Sequence, residues 1–308
     1  MEASITFKKV AKIMKGQAIL SDLSLGIEKA STLVLIGENG SGKSMFLKIL
    51  SGLIDKDNGT VYINGIDIST RGSETRILTG YMPQTINLDP GISIMENISL
   101  YGQLHGLDKD KADNRTVNLL HDFKMEKYKD LFHTELSKGR MRVVQYMRSI
   151  IHDPEVLLLD EPTKDIDPHY KTLIWKNLDK MQNKKTIVIV TQDFREAERY
   201  AERIAILYNG NIQMDGSLDK LIETTRGLTR YRLFFKDSIS DDFIDQIKEL
   251  PRIVRAKVKG RELEFYSRER TEFFKILKLA LDYQLSDIDT SICSLQDLFI
   301  GLTDGGLE

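Results

Sequence analysis

Residues 37 to 44 read Gly37-Glu38-Asn39-Gly40-Ser41-Gly42-Lys43-Ser44, a complete Gly-x-x-x-x-Gly-Lys-Ser phosphate loop. Each position has a task on a nucleoside triphosphate. The glycines let the backbone curl with its N–H groups turned inward as an anion nest, and the helix that follows points its positive end at the same place. Lys43 reaches the β- and γ-phosphates, and Ser44 offers its hydroxyl to Mg²⁺. The flanks have the right character: Thr32–Ile36 is a short apolar run of strand type, and Ser44–Leu53 has helical spacing. The second chemical element is Val156-Leu-Leu-Leu-Asp160-Glu161-Pro162. Its apolar run predicts a buried strand with two carboxylates at the C-terminal end, where ligands bind in open α/β sheets. Asp160 is placed to hold Mg²⁺, and Glu161 to orient and deprotonate an attacking water.

Positioning these residues takes a layered scaffold. Apolar runs at Leu33–Ile36, Val156–Leu159, Ile187–Val190 and Ile204–Leu207 predict buried parallel strands. Helical patterns lie between them at Ser137–Ile151 and at Pro168–Met181, where Asp167 suits the cap and Pro168 the first turn. The front end predicts antiparallel strands at Ile5–Val10, Ile19–Leu25 and Val61–Ile63, with turns at Asn58-Gly59 and Asn64-Gly65. Near Thr224 the alternation breaks, dividing the chain into residues 1–225 and 226–308. The second part predicts strand Tyr231–Phe235, helix Ser240–Glu249, strands Val254–Val258 and Glu262–Tyr266, helix Glu272–Tyr283, strand Asp287–Thr290 and a last helix over Leu295–Leu302. That βαββαβ order is ferredoxin-like.

Composition narrows the function classes. The 308 residues carry a formal net charge of −2 with 29% charged residues, which argues against nucleic acid as a partner. Cys293 is the one cysteine, so no disulfide framework exists, and the five histidines lack metal-ligand spacing. The first residues lack the apolar core of a signal peptide, and no stretch approaches the roughly 18 apolar residues of a membrane span. The reading therefore expects a soluble chain that another subunit must hold at any membrane it serves.

Two smaller signals, Tyr81-Met-Pro-Gln84 and Leu136-Ser137-Lys138-Gly139-Arg140, fall between the main ones. Neither is specific alone, but their order is. Over its first 220 or so residues the chain resembles the ATP-binding cassette (ABC) family of transporter ATPases. Gly37–Ser44 matches the family's phosphate loop and Gln84 its glutamine loop. Leu136–Arg140 matches the signature segment, in a Ser-Lys-Gly form. Asp160 and Glu161 match the metal ligand and general base, and Thr163–Pro168 matches the aspartate loop, with Asp165 where glycine is usual. The Ser-Lys-Gly signature and the ending Ser294–Thr303 resemble an exporter-type subfamily with a small C-terminal domain.

The resemblance implies a phosphate-loop α/β core with an antiparallel β subdomain, a helical subdomain over about 85–152, and the α+β C-terminal domain as a regulatory or dimer-stabilising extension. It implies ATP and Mg²⁺, the latter held by Ser44, Asp160 and Gln84. It implies a second cassette, as a homodimer or a heterodimer, whose Ser137 and Gly139 complete the opposite site, with Asp167 nearby. It implies an integral membrane permease as partner, docked along Ile86 to about Tyr101 near Met82, Ile92, Ile94 and Met95, and a location at the cytoplasmic face of the membrane. Two departures matter. Gln192 stands where the family has its switch histidine; it keeps an amide donor but cannot become a cation. Met14 stands where an aromatic residue usually stacks on adenine, giving a softer contact and weaker base selectivity. The alternatives are a catalytically weak regulatory subunit paired with an active cassette, or a soluble ABC protein outside transport.

Overall fold

The structure is a computed structural model that describes residues 3–223, 228–239, 243, 247, 253–267, 269–281 and 283–303. The chain divides into two compact units, Met1–Asp215 and Gly216–Glu308. Residues 224–227, where the sequence pattern breaks, lie outside the described residues.

The first unit opens with two long strands, β1 (Ala3–Met14) and β2 (Gln17–Glu28), paired antiparallel. Strand β3 (Thr32–Ile36) leads into the phosphate loop and helix α1 (Lys43–Leu50). Strands β4 (Asn58–Ile63) and β5 (Ile66–Asp67) complete a four-stranded antiparallel sheet of order β2-β1-β4-β5. Helix α2 (Gly72–Leu78) precedes β6 (Thr79–Met82). A helical layer follows: α3 (Ile94–Leu104), α4 (Lys109–Asp122) and α5 (Lys138–Ile150). The chain returns through β7 (Val156–Asp160), α6 (Pro168–Asp179), β8 (Thr186–Val190), α7 (Phe194–Tyr200), β9 (Arg203–Tyr208) and β10 (Asn211–Gly216).

The main sheet has the order β10-β9-β3-β8-β7-β6. Strands β3, β7 and β8 are buried at every position, and β3 pairs parallel with both β8 and β9. Leu33, Leu35, Val156, Leu158, Val188 and Val190 share one core with α1 and with β1, β2 and β4, and strands covered on both faces read as unbroken apolar runs rather than alternating ones. The phosphate loop leaves the C-terminal end of β3, and the two carboxylates sit at that of β7.

The helical layer is set by its caps and its apolar faces. Ser93 and Glu96 form a reciprocal capping box at the start of α3, and Asp108 caps α4. Ile94, Ile98, Leu120, Phe123, Val143 and Met147 are buried among them, with Phe123 edge-on to Tyr146 at 5.6 Å.

One turn expectation is corrected. Asn64-Gly65 is a hairpin turn with both residues at positive φ (47° and 77°). Asn58-Gly59 is not a turn; it opens β4. Gly59 takes φ 80° opposite the irregularity of β1 between Lys8 and Ala11, where the Lys8 and Lys9 carbonyl oxygens leave no room for a Cβ.

The second unit begins with a short helix, α8 (Leu218–Glu223), and has its own four-stranded antiparallel sheet. Strands β11 (Thr229–Phe235), β12 (Ile253–Lys259), β13 (Glu262–Ser267) and β14 (Leu285–Ile292) are ordered β12-β13-β11-β14. Helices span Arg270–Leu281 and Leu295–Thr303. Phe243 and Ile247 are helical and buried; the rest of the expected helix Ser240–Glu249 lies outside the described residues. Tyr231, Leu233, Phe235, Phe243, Ile247, Leu263, Phe265 and Ile276 form a core of its own.

Candidate functional site

The phosphate loop is shaped by backbone constraints that only glycine meets. A Cβ on Gly37 would lie 2.2 Å from the Leu207 carbonyl oxygen of β9. Gly42 has φ 106°, and a Cβ on it would lie 2.7 Å from the Leu20 side chain. Lys43 opens α1 and is 6% exposed. Its ammonium donates to the carbonyls of Gly37 (2.7 Å) and Glu38 (2.6 Å), folding back across the loop it belongs to. Burial lowers its pKa, while Glu161, Asp160 and Glu38 pull it back up.

Opposite the lysine stand the carboxylates. Asp160 is 1% exposed, and neither of its oxygens has a hydrogen-bond partner. Burial pushes its pKa up, against the pull of the nearby Ser44 hydroxyl, Arg142 and Lys43. Glu161 is buried with φ 53°, a left-handed conformation that non-glycine residues rarely take. Its N–H donates to the Val190 carbonyl at 2.8 Å, which fixes that turn, and its Oε1 has no partner. Burial raises its pKa, with Asp160 and Glu196 adding to the rise and Lys164 and Lys43 opposing it. Buried carboxylate oxygens without partners cost free energy unless a cation or donor completes them.

One cavity gathers most of the expected residues: Asn39, Gly40, Gly42, Lys43, Ser44, Gln84, Asp160, Glu161 and Gln192. Ile19, Met45, Lys48 and Val190 also line it, and sequence reasoning missed them. Gly37, Glu38 and Ser41 do not line it. Gly37 packs on β9, and the Ser41 hydroxyl is buried without a partner. Met14, Ser137, Gly139 and Asp167 do not line it either. Met14 ends β1, 43% exposed. Ser137 caps α5, its hydroxyl accepting from the Arg140 N–H at 3.4 Å. Gly139 faces the aspartate loop, where a Cβ would lie 3.1 Å from the Asp165 carbonyl oxygen. Asp165 has φ 59°, which explains the usual preference for glycine at that position.

The donor set at the carboxylates fits Mg²⁺. Among the described residues no three His, Cys, Asp or Glu form a metal cluster. One aspartate and one serine beside a phosphate nest suit a cation that arrives with a nucleotide and takes its other ligands from phosphate and water.

The Gln192 amide donates to the Asn39 side-chain oxygen at 2.7 Å, so the switch residue is held by the phosphate loop itself. Behind it lies a buried network that the sequence did not disclose. The Thr163 hydroxyl meets both Glu196 oxygens (2.7 and 2.8 Å), and Glu196 pairs with Lys171. Asp193 accepts from the N–H groups of Arg195 and Glu196 and so caps α7.

A second cavity is lined by Lys48, Ser51, Leu53, Arg76, Thr79, Tyr81, Pro83, Thr85, Asn87, Tyr101 and His105. Of the four residues expected at a partner groove, Met82 and Ile94 are fully buried, and none lines this cavity. Alternation along β6 turns Met82 into the core and leaves Tyr81 and Pro83 facing the cavity. No described helix is long and apolar enough to cross a membrane.

The chain is similar in sequence and fold to known proteins. The family profile described as ABC transporter matches residues 20–164. The chain is 30% identical over 302 residues, 97% of its length and 96% of the relative's, to the Nod factor export ATP-binding protein I of Bradyrhizobium diazoefficiens. A solved ATP-binding subunit of an ABC transporter superposes with a TM-score of 0.68 at 26% identity, over 72% of this chain and 92% of the other. A dimeric ATP-binding cassette in a post-hydrolysis state, bound to ADP and Pi, gives a TM-score of 0.64 at 26% identity, over 70% of this chain and 98% of the other.

Proposed function

The chain belongs to the family of ABC transporter ATP-binding subunits, which bind and hydrolyse ATP, and from that premise we propose that two cassettes close head to tail around two ATP to drive an export permease. Lys43 faces the carboxylates of Asp160 and Glu161 across one cavity, where both Asp160 oxygens and Glu161 Oε1 lack a hydrogen-bond partner, and this observation carries the reading. The loop N–H groups and Lys43 hold the β- and γ-phosphates; Ser44 and Asp160, with Gln84, hold Mg²⁺. When bound, Mg²⁺ neutralises charge developing on the phosphate oxygens. Glu161 orients the attacking water and takes its proton, a task its raised pKa suits. The adenine lies against Ile19, which lines the cavity and is not aromatic; Met14, expected to stack on it, does not line the cavity. Ser137 and Gly139, which do not line their own chain's cavity, serve the opposite site, and Asp167 borders the junction. The relative's export function supports the direction, and the dimeric cassette supports the pairing. The cavity with Tyr81, Tyr101 and Leu53 on its walls receives a permease helix at the cytoplasmic face of the membrane. The C-terminal domain (about 226–308) steadies the dimer.

A second reading rests on Gln192. Its amide is engaged by Asn39, and glutamine cannot become a cation, so the chain would clamp ATP and leave turnover to a partner cassette. Phosphate release by the purified chain with Mg-ATP, beside Glu161→Gln and Gln192→His, separates the two. Turnover that disappears in Glu161→Gln supports the motor. A silent parent rescued by Gln192→His overturns it in favour of the clamp.

A further inference from the structure

We infer that Arg142, on helix α5, is a positioning residue that ties the glutamine loop to the carboxylate segment. The proposal rests on the ATPase reading of the site. The side chain is 4% exposed, and its acceptors are four main-chain carbonyls. Nη1 donates to Pro83 (3.2 Å) and to Gln84. Nη2 donates to Asp160 (3.1 Å) and to Glu161. One guanidinium thus bonds to the backbone of Gln84 and to the backbone of Glu161. Lysine cannot replace it, because a single ammonium lacks the planar fork that reaches two segments at once.

Burying a cation is costly, and burial lowers the Arg142 pKa against the opposing pull of Asp160, Glu161 and Asp165. A plain core contact would be met more cheaply by an apolar side chain. What the cation secures is geometry. The glutamine loop between β6 and α3 has no regular structure, and Gln84 is exposed. Its backbone is gripped by a row on α5 at spacing three, a spacing that keeps side chains on one helix face. Gln145 donates to the Pro83 and Thr85 carbonyls (2.9 and 2.8 Å), and Arg148 to that of Asn87 (2.9 Å). Gln145 and Arg148 reach only the loop in these bonds. Arg142 also reaches the end of β7, so it transmits a displacement of Gln84 to Glu161 and the reverse.

The test uses the full chain with Arg142→Lys and Arg142→Gln, each in parent and Gln84→Ala backgrounds. Without nucleotide, amide exchange over residues 84–89 should quicken at least about tenfold in both variants, with helix α1 unchanged. The dissociation constant for Mg-ATP should stay within about threefold, because the phosphate nest is untouched, while kcat falls at least about tenfold. In the Gln84→Ala background the same change should cost less than about threefold, since the residue being positioned is already gone. Unchanged exchange, fully additive rate losses, or failure of both variants to fold would overturn the assignment, the last by making Arg142 a fold determinant. A parent that releases no phosphate sinks the ATPase reading instead, and the exchange measurement still judges the tie.

Discussion

Glu161 occupies a position that lowers stability and that the proposed mechanism uses for chemistry. Its backbone is left-handed, one carboxylate oxygen has no partner, and burial, with Asp160 and Glu196 behind it, raises its pKa. A carboxylate whose pKa is higher folded than unfolded binds its proton more tightly in the native state. Its cost is therefore fully present above the folded pKa and vanishes below the unfolded one. Glu161→Gln should raise the melting temperature of the nucleotide-free chain near pH 8 by roughly 2–4 °C, the shift expected for about 1 kcal/mol in a domain of this size. The advantage should shrink as the pH falls through the carboxylate range. Melting curves against pH check this, and a gap that widens toward acid would show that Glu161 is stabilised by its neighbours. Lys43, Asp160 and Glu161 were legible in the sequence because phosphate and metal chemistry dictates residue type and local spacing. The tie made by Arg142 was not. Its acceptors are backbone carbonyls, which every residue carries, so nothing in the sequence marks them.

At the scale of elements, the buried parallel strands were the most legible, since a strand covered on both faces has no polar position to blur it. The front end was harder. Asn-Gly is the strongest short hairpin signal, and it was right at Asn64-Gly65 and wrong at Asn58-Gly59. Both glycines have positive φ, so the local chemistry is the same. What differs is the β1 partner, which is irregular between Lys8 and Ala11, opposite Gly59. The two sites respond differently to a methyl group. A Cβ on Gly59 would lie 2.3 Å from the Lys9 carbonyl oxygen, whereas one on Gly65 meets nothing within 4 Å. Gly65→Ala should cost only the left-handed penalty of about 1 kcal/mol. Gly59→Ala should cost about 3 kcal/mol or more, because strain and a backbone clash add. Urea unfolding of both variants tests the order, and equal losses would mean that β1 yields to the clash.

At the scale of the whole molecule, the chain divides at Asp215–Gly216, ahead of the break in strand–helix alternation near Thr224, so that α8 falls in the small second unit. The second unit has an aromatic core, with Tyr231 stacked on Phe265 and Phe273, and a sheet whose order matches the βαββαβ reading. The first unit contains the phosphate loop, the carboxylates and the signature segment, all before Asp215. Removing residues 217–308 should therefore leave each nucleotide site intact. The dissociation constant for Mg-ATP should change by less than about threefold, as expected when no contacting group is removed. Dimerisation is the property that should suffer if the second unit steadies the pair, because linkage makes a weaker interface visible as a higher concentration needed for assembly. Glu161→Gln, which should hold ATP without turnover, gives the clean background. Sedimentation of this variant with Mg-ATP, whole and shortened, should show the shortened chain dimerising at least about tenfold more weakly, a loss of about 1.4 kcal/mol. Equal dimerisation would remove the stabilising role from the second unit, and the cassette faces alone would then account for assembly.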